Sequence, residues 1–275
     1  MKADKIKEIV KSRYGKVALQ SIPCCGTRKS CCGSPDAADM SKKVGYNDMD
    51  LNSAPEGANL GLGCGNPVAL ASLKEGDVVL DLGSGAGFDV FLAAAKVGSC
   101  GKVIGVDMTP EMVEKAKANA VKGGFQNVEF RLGEIENLPI SGSEVDVIIS
   151  NCVINLSPEK GKVFKEAFRV LKPGGRLMVS DLVLLKPLPE SVRESVEAYV
   201  GCIAGAVMKD EYLAAITAAG FSDLKVAGED VYPVGLAVND PVAKAIYSDA
   251  GIVSDYAKEL SGSVASIKIS AVKPS

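Results

Sequence analysis

The sequence predicts an α/β protein whose core is an open, doubly wound and mostly parallel sheet. From Asp77 onward, short apolar runs alternate with segments of helical periodicity. The apolar runs are nearly continuous in Val, Ile and Leu, which is typical of parallel strands covered on both faces. Because strands that alternate with helices are joined by right-handed crossovers, this order builds a doubly wound sheet.

The core pattern contains five predicted strands and three predicted helices. The strands are, in chain order, VVLDL, KVIGVD, NVEFRLG, VDVIISN and the apolar end of LKPGGRLMVSDLV. The helices are the end of GSGAGFDVFLAAAKV, then TPEMVEKAKANAVKGG and SPEKGKVFKEAFRVLK. We expect Thr109 to be the N-cap of the second of these helices, because Pro110 suits the first helical position.

The segments on either side of this core are less regular. A first helix is predicted from about Ala3 to Arg13, followed by the loop SIPCCGTRKSCCGSPDAAD. A second loop, GANLGLGCGNP, leads into a short helix that starts at Pro67 and runs to about Leu73. Later helices are expected at about 190–208 and 210–219, with a terminal strand in SVASIKISAVK. The segment after about Phe221 receives no other assignment.

We therefore expect three parts. Residues 1–73 carry an N-terminal helix and cysteine-rich loops, and residues 74–184 form the α/β core. Residues 185–275 form a C-terminal helical and strand extension, which we expect to cover the acceptor site.

Composition excludes several classes of function. Lys and Arg total 31 against 34 Asp and Glu, so no electrostatic attraction to nucleic acid or an anionic membrane is predicted. The lysine-rich N-terminus has no apolar secretory region, and no apolar run is long enough to span a bilayer. We expect a cytoplasmic protein without membrane or nucleic-acid partners. The sequence contains no histidine, which excludes Ser-His-Asp and Cys-His catalysis as well as His-ligated metals.

A glycine-rich turn marks the predicted nucleotide site. The first core strand ends in Asp81-Leu82-Gly83-Ser84-Gly85-Ala86-Gly87, where glycines let a ligand approach the backbone. Asp107 ends the second strand, where an acidic side chain accepts hydrogen bonds from ribose hydroxyls. The G-x-G-x-G spacing differs from the G-x-G-x-x-G of a pyrophosphate-binding turn and disfavours NAD. A purely structural turn and a nicotinamide site remain as alternatives.

These segments resemble class I methyltransferases, which have a Rossmann-like fold and bind S-adenosylmethionine. VLDLGSGAGFD is similar to their first motif, GVDMTPEM to the second, and LKPGGRL to the loop before the fifth strand. The resemblance covers about residues 76–184. It implies that Asp107 holds the cofactor ribose and that Asn151, at the end of the fourth strand, faces the transferred methyl group. The further cofactor residues that it implies are Asp81, Gly83, Ser84, Gly85 and Gly87 in the turn, Met108 against the adenine, and Gly133, Glu134 and Ile135 beside the adenine, with Glu134 at its amino group.

Eight cysteines suggest soft-ion or redox chemistry in a cytosolic chain. Cys64 lies in the GLGCGNP loop, Cys152 follows Asn151 at the end of the fourth strand, and Cys202 lies in a predicted helix. Cys152 and Cys202 alone each have a packing explanation, because free cysteine is among the most buried residue types. Cys64 is the exception, since a loop cysteine between two glycines has little to pack against. Cys100, in a turn opposite the expected site, is given no functional role.

The cysteine pattern resembles that of the arsenite methyltransferases. The shared features are RYGKVAL, the 61–67 loop, the Asn151-Cys152 pair and a cysteine 50 residues further on at Cys202. The resemblance spans about residues 13–208. It implies that Cys64, Cys152 and Cys202 bind As(III), and that an external thiol or a dithiol protein of the thioredoxin or glutathione type acts as reductant. Since As(III) is soft, thiolates are its matching ligands.

Two cysteine pairs near the N-terminus are harder to assign: Cys24-Cys25 and Cys31-Cys32. Arsenite methyltransferases carry an N-terminal cysteine that bridges to the equivalent of Cys64 and shuttles arsenic, and here four cysteines are candidates for that role. The alternative is a zinc or iron–sulfur clip, which the C-C-x5-C-C spacing disfavours.

Two other functions remain open at this point. One is a small-molecule C-methyltransferase acting on a quinone or sterol, and the other is a protein that sequesters arsenic or soft metals without catalysis. The first leaves the cysteine pattern unexplained, and the second leaves the nucleotide site unused.

Overall fold

The central element is a single sheet of seven strands, in a computed structural model that describes residues 3–20, 37–231 and 262–275. Along the chain the strands are β1 (Val78–Leu82), β2 (Lys102–Asp107), β3 (Val128–Leu132), β4 (Val145–Asn151), β5 (Leu171–Leu184), β6 (Ser222–Val231) and β7 (Val264–Val272). Their order across the sheet is β3-β2-β1-β4-β5-β7-β6. The first five are parallel to one another, and β7 pairs antiparallel to both β5 and β6. The mostly parallel, doubly wound sheet predicted from the sequence is confirmed.

Helices connect and cover these strands. They are α1 (Ala3–Gln20), α2 (Ala37–Lys43), α3 (Asp48–Ser53), α4 (Pro67–Leu70), α5 (Phe88–Val97), α6 (Pro110–Gly123), α7 (Lys160–Val170), α8 (Glu190–Arg193), α9 (Val196–Val200) and α10 (Lys209–Ala218), with a 3-10 helix at Ile154–Leu156.

Alternation along the strands divides the core between two faces of the sheet. Val79 of β1 packs in one cluster with Val90 of α5, whereas its neighbour Leu80 packs in a second cluster with Phe164 of α7. Because successive strand residues point to opposite faces, both faces of β1 are buried under helices.

Local signals set the ends of the core helices. Pro110 is the first residue of α6, and Gly124 ends that helix in the left-handed conformation with φ 70°. Thr109 occupies the predicted N-cap position, but its side chain makes no capping hydrogen bond. The short helix α4 starts at Pro67 as predicted. It ends at Leu70 rather than near Leu73, and the left-handed φ of 43° at Ser72 is incompatible with helix at that position.

The N-terminal helix is longer than predicted. It continues from Arg13 to Gln20, because Ala18 is also buried and its carbonyl accepts a hydrogen bond from the Lys115 Nζ at 3.3 Å. The cysteine-rich loop that follows, including Cys24, Cys25, Cys31 and Cys32, lies outside the described residues.

The single helix predicted over 190–208 is wrong. The chain forms the short helices α8 and α9 and then a turn, in which the N–H groups of Ile203 and Ala204 both donate to the Ala198 carbonyl at 2.9 Å. Cys202 lies in this turn with a left-handed φ of 63°, so it is not on a helix. The strand β6, which was not predicted from the sequence, follows α10.

No helix among the described residues is both long enough and apolar enough to cross a membrane.

Candidate active site

An open cleft lies at the carboxyl ends of β1, β2, β3 and β4. Ligand sites in open α/β sheets form at this edge, where the loops after the strands diverge. Nine of the residues predicted for the cofactor line the cleft: Asp81, Gly83, Ser84, Gly85, Asp107, Met108, Gly133, Ile135 and Asn151.

The glycine-rich turn wraps around the Asp107 carboxylate. The Gly85 N–H donates to Asp107 Oδ2 at 2.9 Å, and the Thr109 N–H donates to Oδ1 at 2.8 Å. Gly85 has a φ of 52°, and a side chain added there would meet no protein atom within 4 Å. The turn therefore leaves open space beside an oriented carboxylate.

Two predicted cofactor residues do not line the cleft. Gly87 is the N-cap of α5 with φ 95°, and a side chain there would collide with Phe91 and Phe130. Its position is explained by helix packing. Glu134 points to α1, where its Oε2 accepts a hydrogen bond from Lys7 Nζ at 2.7 Å.

Three buried carboxyl groups line this cleft: Asp81, Asp89 and Asp107. Burial raises the pKa of Asp81 well above its ordinary value, with a further contribution from the neighbouring Asp89 charge. Burial also raises the pKa of Asp89 to about 6 and that of Asp107 to a smaller extent, although hydrogen bonds lower both. Since like charges and desolvation both disfavour ionisation, a cationic ligand would be stabilised here.

A buried hydrogen-bond network missing from the sequence prediction joins this cleft to the loop that carries Cys64. The Tyr46 hydroxyl donates to Asp89 Oδ1 at 2.7 Å. Asn151 Nδ2 lies 2.8 Å from the Tyr46 hydroxyl oxygen, 2.8 Å from the Gly65 carbonyl and 3.0 Å from Asp89 Oδ2. Asn151 Oδ1 accepts from the Cys64 N–H at 3.0 Å. The polar atoms of Asn151 thus hold the Cys64 loop against the end of β4.

Helix α1 forms another wall of the cleft that the sequence did not indicate. Lys7, Val10 and Tyr14 line it, and Lys7 also pairs with Glu136 at 3.2 Å. Glu136, two residues beyond the predicted Glu134, lines the cleft itself. Because Glu136 lies in a loop, no sequence periodicity distinguishes it from its neighbours as a residue that faces the cleft.

The three predicted thiols come together. Cys64 and Cys152 are joined as a disulfide, with their Cα atoms 5.8 Å apart. The Cys202 thiol donates to the Cys152 carbonyl at 3.1 Å. All three side chains are buried in one cluster, and Cys152 also lines the cleft. The thiols and the cleft are therefore adjacent.

The backbone at two of these cysteines is unusual. Cys152 and Cys202 have φ values of 61° and 63°, a left-handed conformation that non-glycine residues adopt rarely and at a cost. Cys100 is exposed in the turn before β2 and is not among the residues that line the cleft.

Comparisons with known proteins agree with this geometry. A family model described as "Methyltransferase domain" matches residues 73–220. The chain is 47% identical over 234 residues to an arsenite methyltransferase of Halobacterium salinarum, covering 82% of this chain and 60% of that protein. It is 40% identical over 223 residues to an arsenite methyltransferase of Aquipseudomonas alcaligenes, covering 78% of this chain and 62% of that protein. The chain thus spans less than two thirds of the length of these two relatives.

A solved structure is similar over a larger share of its length. An arsenic(III) S-adenosylmethionine methyltransferase from Chlamydomonas reinhardtii matches with a TM-score of 0.62 and 33% identity, over 88% of this chain and 74% of that one. The domain match, the sheet order and this likeness confirm the resemblance predicted from the sequence. The chain belongs to the methyltransferase domain family and, within it, to the arsenite methyltransferases.

Proposed function

We propose that the chain transfers methyl groups from S-adenosylmethionine to thiol-bound As(III), producing methylated arsenicals. The observation that carries this proposal is that Cys64, Cys152 and Cys202 pack in one buried cluster, of which Cys152 lines the cleft. Similarity to arsenite methyltransferases supports the same substrate. A detoxification role follows from this chemistry.

The cleft suits S-adenosylmethionine in charge and in shape. This cofactor carries a positive sulfonium and an ammonium group, and a positive charge would favour the ionised form of Asp81, Asp89 and Asp107, whose pKa values are raised by burial. The open side of Gly85 leaves room for close approach to the backbone.

In this function, different residues of the cleft contact different parts of S-adenosylmethionine. Asp107 accepts from the ribose hydroxyls, and Gly83, Ser84 and Gly85 accommodate the methionine part. Met108 and Ile135 pack against the adenine beside Gly133. An adenine contact for Glu134 stays a prediction, because its carboxylate pairs with Lys7.

The thiols define how the substrate is held. As(III) is soft and three-coordinate, so three thiolates bind it as a neutral complex that keeps a lone pair on arsenic. When bound, S-adenosylmethionine supplies an electrophilic methyl group. Because the arsenic lone pair carries no proton, no general base is needed, which suits a chain without histidine. The contribution of Cys64, Cys152 and Cys202 is to hold arsenic at attack distance.

The disulfide makes a reductant part of the proposal. Cys64 and Cys152 can bind As(III) only after their disulfide has been opened to two thiols. One dithiol of the thioredoxin type, or two monothiols of the glutathione type, supplies the two electrons and two protons and becomes oxidised to a disulfide. A reducing, cytoplasmic compartment would keep these thiols available. Capture of As(III) by Cys24, Cys25, Cys31 or Cys32 stays a prediction.

A product assay tests the proposal against its two rivals. Reduced protein, As(III) and S-adenosylmethionine together should give methylated arsenic, and omission of any one should abolish it. A Cys100→Ser variant should be as active as the natural chain, because Cys100 is exposed and away from the cleft. Methylation of a quinone-type acceptor alone would replace the arsenic assignment. Tight As(III) binding without turnover would indicate a sequestering protein.

A further inference from the structure

A buried carboxylate next to the thiols has no role in the proposed reaction. One carboxylate oxygen of Asp181 and the sulfurs of Cys64 and Cys152 all lie within 4.8 Å of one another. Asp181 has no exposed surface. Three thiolates complete the coordination of As(III) and form a neutral complex with it, so Asp181 is not needed as an arsenic ligand. A buried acidic group beside two sulfurs needs another explanation.

The Asp181 carboxylate is held in a fixed orientation. Its Oδ1 accepts from Asn155 Nδ2 at 2.8 Å and from the Leu182 N–H at 2.9 Å. Its Oδ2 accepts from the Tyr212 hydroxyl at 2.9 Å. Hydrogen bonds of this kind orient the ligands of metal sites and leave further lone pairs free on the carboxylate.

We propose that Asp181 and the reduced Cys64–Cys152 pair form a site for a divalent cation of the zinc class, which competes with As(III) for the same thiols. Such cations take sulfur and carboxylate ligands in a tetrahedron whose edges are about 3.5 to 3.8 Å. The three ligand atoms therefore need to move by only about 1 Å to reach that geometry. Cys202 lies in the same buried cluster, with its sulfur 3.1 Å from the Cys152 carbonyl, but it is not one of the three ligand atoms that lie within 4.8 Å of one another.

The charges and the chemistry balance. A dithiol first reduces the disulfide, giving two thiols and the oxidised dithiol. On cation binding the two thiol protons pass to solvent, and two thiolates with one carboxylate surround the divalent charge. The Lys160 ammonium, which interacts electrostatically with Asp181 and Cys202, offsets the remaining negative charge. The site uses the same reduced thiols as the proposed function, but it depends on Asp181, which arsenic does not need.

Titration with Co²⁺ tests this inference on the reduced full chain. The remaining thiols are first removed by changing Cys24, Cys25, Cys31, Cys32 and Cys100 to Ser. This protein should bind one equivalent of Co²⁺ with a thiolate-to-cobalt charge-transfer band, and preloading with As(III) should prevent it. Asp181→Asn should weaken Co²⁺ affinity by at least about tenfold while leaving As(III) affinity unchanged.

A second variant covers the case in which Asp181→Asn does not fold, as judged by circular dichroism. Tyr212→Phe keeps the carboxylate but removes one orienting hydrogen bond, and it should weaken Co²⁺ affinity by about tenfold. Unchanged Co²⁺ affinity in the folded variants, or Co²⁺ and As(III) bound together, would overturn the site. Failure of the proposed function looks different: As(III) is then neither bound nor methylated, whereas Co²⁺ still binds in an Asp181-dependent way.

Discussion

The cofactor cleft and the thiol cluster touch at Cys152, but they are built in opposite ways. The cleft is formed largely by strand ends and the turns after them, and its central hydrogen bond joins Gly85 to Asp107. The thiol cluster joins Cys64 to Cys152 across 88 residues and adds Cys202 from beyond the fifth strand. One region is assembled by a repeated βα unit, and the other exists only once the whole fold has formed.

The cleft and the thiol cluster also differ in which residues adopt left-handed backbone conformations. Gly83 and Gly85 supply the left-handed φ values of the cleft without steric cost. At the thiol cluster, Cys152 and Cys202 adopt left-handed φ themselves, which costs about 1–3 kcal/mol each and persists only where the surrounding structure holds the backbone in place. We infer that the cleft tolerates local change better than the thiol cluster does.

The largest expected effect is a loss of methyl transfer when the thiol cluster is changed, with cofactor binding retained in the cleft. Cys152→Ser or Cys202→Ser should lower methyl transfer to arsenic by at least about a hundredfold, because a misplaced acceptor loses the attack geometry. Cofactor affinity, measured by calorimetry, should stay within a few-fold of that of the natural chain. Loss of cofactor binding without loss of As(III) binding would show that these cysteines serve packing instead.

The converse change should affect only the cleft. Asp107→Asn removes the negative charge that accepts two backbone hydrogen bonds. A hydrogen bond to a charged group contributes about 1.5–3 kcal/mol. Loss of this amount from cofactor binding corresponds to a roughly 10- to 100-fold weaker cofactor affinity. As(III) affinity should not change. Asp146→Asn, which alters a carboxylate paired with Lys172 at the start of β4, is the matched control and should leave cofactor affinity intact.

Tyr46→Phe probes the connection between the two regions. It removes the hydroxyl that bonds to both Asp89 and Asn151, so chemical denaturation should show a loss of about 1–3 kcal/mol in the free energy of unfolding. Because Asn151 also holds Cys64, As(III) affinity and cofactor affinity should fall together. If only one of them falls, the network does not link the regions.

The smallest effect concerns pH. The pKa of Asp89 is about 6 in the folded protein against 3.8 ordinarily, with Tyr46, Asn151 and the charges of Asp50 and Asp81 as its neighbours. The folded state therefore holds this proton more tightly than the unfolded state does. The contribution of Asp89 to the free energy of unfolding is fully present below about pH 4 and is lost as pH rises through about 6. Urea unfolding should show a fall on the order of 1–3 kcal/mol over this window.

Asp89→Asn is the variant that isolates this titration. It should flatten the pH dependence between about pH 4 and about pH 7 relative to the natural chain. An unchanged slope would assign the effect to the other buried carboxylates.

Much of the cleft could be predicted because its signals are local. Apolar runs marked the strands β1 to β5, and the position of Asp107 after β2 followed from the crossover spacing. The contacts that were missed join distant positions: Tyr46 to Asp89 across 43 residues, and Asp181 to Tyr212 across 31. A tyrosine in a loop and an aspartate on a helix carry no sequence periodicity that would pair them.

By itself the sequence determined the order of strands and helices, the glycine turn and the set of cysteines available to a soft ion, because these depend on local pattern and residue chemistry. Only the tertiary structure decided which sulfurs meet, that β6 and β7 extend the sheet, and that Cys202 lies in a left-handed turn. The physical reason is that these features depend on packing between segments far apart in the chain, where burial and hydrogen bonding outweigh local preference.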